Sequence, residues 1–281
     1  MVGNEKEHGS KLKNHVQEST SGELLHTKHA FPPNNLGYCG PDTRGKILDH
    51  LHSHSTDESL LSILTKFEAA YPFVKMIAKS TGMKPFDYQV AEAYWLGNSL
   101  LDHVEPAEFF EFAHQDLASS RKMVGKSDGL REAEAKSLFR ELGHLAKPHH
   151  TFYVLGMYAR STELSDSGGK MLGLMDSCRI SWGKVVDVRR ETLVVERPSL
   201  TLTQGKLALT RPKKKEIQFD PEISPFSNIR KGDWVSVHWN FASEKLKPYQ
   251  LTNLRHYTAL DIEATNRLVA SRIRDKEEHD K

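Results

Sequence analysis

Cys178-Arg-Ile-Ser-Trp-Gly-Lys-Val-Val-Asp-Val188 and Lys231-Gly-Asp-Trp-Val-Ser-Val-His-Trp-Asn-Phe-Ala-Ser-Glu-Lys-Leu246 bracket the stretch that decides the fold. Both read as strands. Val185, Val186, Val188, Leu193, Val194 and Val195 are the β-branched or apolar residues that suit a half-buried pleated surface. Lys231-Gly232-Asp233 is a turn signal that feeds directly into Trp234-Val235-Ser236-Val237-His238. Several short strands separated by turn residues predict a small barrel. The only cysteine of this half, Cys178, stands at the mouth of the first strand. The only histidine between Cys178 and the last helix, His238, stands on the last strand.

The two blocks resemble the HypC/HupF family, small chaperones that mature the large subunit of nickel–iron hydrogenases. The resemblance covers roughly residues 175–260, under a third of the chain. It implies a HypC-like, OB-like β-barrel over 174–247 and an iron fragment with cyanide and carbon monoxide ligands as cofactor. By the same resemblance Cys178 binds the iron and His238 lies nearby. The implied partners are a hydrogenase large subunit and a HypD-like maturation protein. Trp182, Trp234 and Phe241, aromatic residues of the two blocks, are the candidates for partner contact. The family's cysteine follows the initiator methionine, whereas Cys178 lies deep inside this chain, and Trp182 stands where the family often has proline.

The chain has 281 residues, enough for one large domain or two ordinary ones. Hydrophobic residues make up 38%, which supports real cores, and a formal net charge of +2 gives no strong pull toward nucleic acid or an anionic membrane. No apolar run approaches the length of a membrane span. Two distant cysteines make no disulfide framework, so a cytoplasmic location with reduced thiols is the expectation. Residues 1–22 are polar and aperiodic and read as a disordered leader.

Residues 23–160 read as an α-helical domain, 161–173 as a Gly/Ser linker and 248–274 as a C-terminal helix, so the fold class is α+β. The entry of the helical domain, 23–42, is crowded with Pro32, Pro33, Asn34, Asn35, Gly37 and Gly40 and is expected to be a shaped loop carrying Cys39. Beyond it, Pro41-Asp42 opens a helix whose start would favour a thiolate at Cys39. The opposing reading is a small buried cysteine beside a turn. Helical spacing continues to about 142, with Phe86 to Leu101 as one buried helix. His50, His52 and His54 read as a solvated helix end, and the aromatic faces as core. Pro148-His149-His150 precedes an apolar run, Phe152 to Tyr158, too short to assign to strand or helix.

Three functions compete. The first is accessory work in assembling a hydrogenase, with Cys178 and Cys39 as metal ligands from two parts of the chain. His238, His29, His149 and His150 then serve as neighbours or proton carriers. Cys39 and Cys178 are expected to face one another across the domain interface. The second is a metal- or thiol-dependent enzyme centred on Cys39 and the histidines of the helical domain. The third is an interaction module in which neither cysteine matters.

Overall fold

The computed structural model describes residues 21–119, 142–161, 169–223 and 226–279. The leader expected over 1–22, apart from its last two residues, lies outside the described residues. So do the loop expected at 125–130, all but the end of the helix expected over 131–142, and the middle of the linker, 162–168.

The strands form where β-branched and aromatic residues run between turn signals. Strands β1 (Ser181–Val188), β2 (Thr192–Arg197), β5 (Lys213–Gln218), β7 (Phe241–Lys245) and β6 (Trp234–His238) close a barrel in the order β1-β2-β5-β7-β6. A hairpin of β3 (Leu200–Thr203) and β4 (Lys206–Leu209) stands apart as a two-stranded sheet. In β2, Leu193, Val195 and Arg197 are buried while the residues between them are half-exposed. The antiparallel registers Val185↔Val195 and Leu193↔Ile217 bring these apolar residues together, and a short parallel contact, Gln218↔Phe241, closes the ring. A two-residue turn joins β6 to β7, with both central residues left-handed: Trp239 (φ 48°) and Asn240 (φ 61°). Such turns match strand twist but favour Asn and Gly, so a tryptophan there is strained and must be held by its surroundings. Tyr38 stacks on it (ring centroids 4.4 Å apart), and its backbone N–H donates to the Ser177 carbonyl (2.8 Å).

The expected entry loop is largely a helix. Helix α1 runs Gly22–Asn35, and only the residues after it form the loop that carries Cys39. Ser21 caps it by accepting from the Leu24 N–H (3.2 Å), and the two prolines fall in the last turn. A proline removes one amide donor and crowds the carbonyl four residues back, which the end of a helix tolerates better than its middle. Helix α1 is buried on nearly all sides, polar residues included, so it shows no amphipathic stripe. Its polar groups are matched singly: Trp95 donates to His26 Nδ1 (3.0 Å), Lys28 pairs with Glu244 (2.7 Å), and His29 Nε2 meets Ser236 Oγ (3.1 Å).

Helices α2 (Arg44–Ser53), α3 (Glu58–Leu64), α4 (Tyr71–Thr81), α5 (Tyr88–Trp95) and α6 (Pro106–Ser119) follow. The helix expected from 86 to 101 stops at Trp95. Gly97 is left-handed (φ 83°), and a Cβ there would lie 2.2 Å from the Tyr257 ring, so close packing of the last helix ends α5. The undecided run after His149 is helix α7 (His150–Ser161). Helix α8 (Lys170–Cys178) leads into the barrel, and α9 (Pro248–His279) packs back on α7.

One apolar core runs through the helical part and the barrel. Phe67, Phe73, Tyr94, Trp95, Phe109, Val195, Ile217, Val235, Phe226 and Leu254 all belong to it. Each such side chain contributes about 1.5–3 kcal/mol by leaving water. Among the described residues, no helix is long and apolar enough to cross a membrane.

Candidate metal centre

Three elements converge where the helical part meets the barrel. Helix α8 ends on Cys178, β6 ends on His238, and α7 begins on His150. One ligand atom from each lies within 4.8 Å of the other two. This is the spacing at which a thiolate and two imidazoles share one ion, with Zn–S near 2.3 Å and Zn–N near 2.0–2.1 Å as typical lengths.

Each donor is fixed by local structure. Asp176, two residues before the thiol, anchors the end of α8. It accepts from Arg179 Nη2 (2.8 Å) and the Leu200 N–H (2.8 Å), and it pairs with Arg197 (3.0 Å). Burial opposes its charge, but the guanidinium groups of Arg179 and Arg197 hold the carboxyl below its ordinary range.

His238 Nδ1 lies 2.6 Å from the His29 carbonyl. A carbonyl only accepts, so Nδ1 carries the proton and Nε2 keeps its lone pair. That Nε2 is buried without a hydrogen bond of normal geometry, although the Cys178 backbone lies close enough to act on this imidazole. The His29 carbonyl is available for a reason visible in the sequence. Its helical partners would be the N–H groups three and four residues on, and those residues are Pro32 and Pro33.

His150 is held at both nitrogens: Nδ1 is 3.1 Å from the Tyr94 hydroxyl and Nε2 is 3.0 Å from the Cys178 carbonyl. Tyr94 is also 3.0 Å from the Ala69 carbonyl. Two proton arrangements are open, and only the first makes the hydrogen bond to the Cys178 carbonyl. In one, His150 Nε2–H donates to Cys178. In the other, Tyr94 donates to Ala69 and His150 Nδ1–H donates to Tyr94. The second leaves a lone pair on Nε2, the nitrogen that faces Cys178.

The Trp95 indole forms the floor. His29 stacks on it at 5.4 Å, with His150 at 4.6 Å and His238 at 5.8 Å. Burial keeps these imidazoles neutral. It lowers His29 to about 3 and His238 to about 4, and it pushes His150 well below its ordinary value. Burial raises the Cys178 thiol to about 12; nearby Cys39 adds to this, and the Trp239 side chain opposes it. Without a cation Cys178 is a poor nucleophile. Neutral imidazoles are what a metal requires, and a bound ion deprotonates a coordinating thiol. The C-terminal end of α8 at Cys178 favours a cation, while the N-terminal start of α7 at His150 opposes it.

Other expected site residues are placed differently. His29 contributes its carbonyl to His238, while its ring bonds Leu25 and Ser236. His149 turns away from its neighbour and forms a buried pair with Asp261 of α9 (2.5 Å). Cys39 lies in the loop after α1, close enough to Cys178 for the two thiols to interact electrostatically. Burial raises its thiol to about 11, against a backbone hydrogen bond at Gly40 that lowers it, and the following helix starts only at Arg44. Trp182 and Trp234 take the Arg255 guanidinium of α9 at 5.7 and 4.8 Å, and Phe241 packs on Phe31 of α1. These aromatics therefore hold the chain's own helices against the barrel. Tyr94 and Trp95 belong to the aromatic faces that the sequence assigns to core; nothing in an apolar helical stripe distinguishes a ring that supports a ligand from one that fills space.

No curated protein and no solved structure matches the chain. The resemblance to the HypC/HupF family is overturned: no match to that family is found, and a single family model runs through helices and barrel alike. The shared signal was a turn feeding a barrel strand, which unrelated small barrels also need, and Cys178 closes an internal helix instead of a free terminus. The chain belongs to DUF6390, a family of unknown function whose model matches residues 18–272.

Proposed function

We propose that this protein is a metalloprotein that binds one thiophilic divalent transition-metal ion through Cys178, His150 and His238. The observation that carries the reading is the buried, unpartnered lone pair of His238 Nε2 beside a thiol and a second imidazole. A buried polar atom without a partner costs about 1–3 kcal/mol, and a metal bond removes that cost. One thiolate with two imidazoles suits zinc or another late first-row ion better than magnesium or calcium. Three protein donors leave a tetrahedral ion one open position, the arrangement of catalytic sites. Two free cysteines suit a reducing, cytoplasmic compartment. The iron fragment and the hydrogenase partners came with the barrel resemblance and have no independent support in these residues.

The test is anaerobic titration of metal-free full-length protein with Zn(II) and Co(II), with elemental analysis. One equivalent should bind. Cys178→Ser and His238→Ala should each weaken binding by more than about 100-fold, since loss of a mere supporting contact already costs about 10–100-fold. Wild-type protein that takes up no stoichiometric metal, or ligand variants that bind as tightly as wild type, would sink the proposal. Infrared stretching bands of cyanide and carbonyl on protein from maturation-competent cells would redirect it to iron.

A further inference from the structure

The loop that follows α1 lies over this centre, and it carries the second thiol. Its shape is preformed. Asn34 Nδ2 donates to the carbonyls of Cys39 (2.9 Å) and Pro41 (2.7 Å), and Gly37 and Gly40 take the left-handed conformation at φ 75° and 80°. Gly40 is required on two counts, because a Cβ there would also lie 2.3 Å from the Phe67 ring. Tyr38, largely exposed, stacks on Trp239. Trp239 is the strained residue directly after the ligand His238, and its backbone bonds Ser177, directly before the ligand Cys178. One stacked pair thus joins the Cys39 loop to both barrel-side ligands.

Charge supplies the second argument. A divalent ion with one thiolate and two neutral imidazoles retains one positive charge. Close to Cys178 along the chain, Asp176 faces two guanidinium groups, Arg179 and Arg197, a buried cluster with one cation in excess. Arg179 is wholly buried, with Nη1 unpartnered. Uncompensated charge of one sign is costly in such a place. A neutral fourth ligand such as water leaves that charge as it is, whereas a second thiolate neutralises the ion.

We infer that Cys39 is the fourth ligand of the ion, an exchangeable thiolate delivered by the Leu36–Pro41 loop, which closes the centre when bound and opens it when released. The inference rests on the metal reading above. On closure the Cys39 thiol gives its proton to solvent as the sulfur–metal bond forms, and no oxidant or reductant takes part. Cys39 lies outside the 4.8 Å group of the three inner donors, so the loop moves inward to bind.

Cobalt(II) alone is the probe, added anaerobically to the metal-free full-length chain. Thiolate-to-cobalt charge-transfer intensity in the near ultraviolet counts sulfur ligands, while the visible bands report tetrahedral geometry. Wild type should show two-thiolate intensity, and Cys39→Ser and Cys178→Ser should each lose about half of it. Cys39→Asp, which restores an anionic donor, should recover affinity lost in Cys39→Ser without recovering the charge-transfer band. That result separates a ligand from a residue that merely shapes the loop. Cobalt bound tetrahedrally with intensity unchanged in Cys39→Ser would overturn the inference and leave the three-donor site standing. Absence of tetrahedral cobalt bands in wild type would overturn both.

Discussion

At the scale of single residues, the centre depends on neutral imidazoles, and His26 shows how firmly the fold enforces neutrality. Its Nδ1 accepts from the Trp95 indole (3.0 Å), so that nitrogen must keep its lone pair, and its Nε2 is buried without a partner. Protonation would break the Trp95 bond and bury a charge. Burial accordingly lowers His26 from 6.5 to about 3. The direction for stability follows. Between these values the unfolded chain binds a proton at this residue and the folded chain does not. The contribution is therefore fully present above pH 6.5 and is lost as pH falls toward 3. Through this residue alone, stability should drop by about 1.4 kcal/mol per pH unit below about 6. His26→Gln keeps an acceptor for Trp95 but cannot titrate. The slope of unfolding free energy against pH from 6 to 4.5, measured by chemical denaturation, should be shallower in this variant by about one proton's worth. An unchanged slope would show that His26 titrates alike in both states.

At the scale of elements, α1 carries the connection between sequence and site, and it is the element that sequence patterning misread. Prolines, asparagines and glycines signalled a loop, and the helix they close has no apolar stripe because it is buried on nearly all sides, several of its polar groups having individual partners. Periodicity detects half-exposed elements, and a central polar helix escapes it. The barrel strands were legible through their β-branched and aromatic residues and the Lys231-Gly232-Asp233 turn signal; β2 alternates inner and outer, whereas β6 is buried at all but its first residue. Cys178 as a ligand and His238 as its neighbour came through the barrel resemblance; the sequence itself marks them only as the lone cysteine and lone histidine of the barrel stretch. His150 was named only as one of an adjacent pair, and its partner His149 serves α9 instead. Choosing between them needs the direction of α7, which no local pattern gives.

The prolines themselves have a function that a helix-breaking rule does not express. Together they remove both N–H groups that could bond the His29 carbonyl, and that carbonyl sets the tautomer of His238. Pro33→Ala restores one competing donor. Alanine is the better helix former, by up to about 3 kcal/mol in a helix interior. The metal-free protein should therefore be no less stable, while metal affinity falls by about 10-fold, as for loss of a supporting contact. Denaturation of the metal-free form and competitive zinc titration would be compared. A parallel loss of stability and affinity would instead indicate simple damage to α1.

At the scale of the whole molecule, the helical part and the barrel share a core and meet through α1. Lys28 pairs with Glu244 of β7, His29 with Ser236 of β6, and Phe31 with Phe241 of β7. The candidate ligands lie on both sides of the same seam, so the site exists only when the two parts are docked. Lys28 is buried, and removing one partner of a buried ion pair costs about 3–5 kcal/mol because the other charge is stranded. Lys28→Ala should therefore destabilise the chain as a unit. Far-ultraviolet dichroism, weighted to the helices, and tryptophan fluorescence, which includes Trp182 and Trp234 of the barrel, should give coincident unfolding curves in both wild type and variant. Saturating zinc should move the two curves together. At free metal a hundredfold above Kd the gain is about 2.7 kcal/mol. If Lys28→Ala separated the curves, with the barrel melting later than the helices, the seam would be a contact between independent domains. The ion would then bind only to a docked subset of molecules, and measured affinity would fall in proportion to that subset.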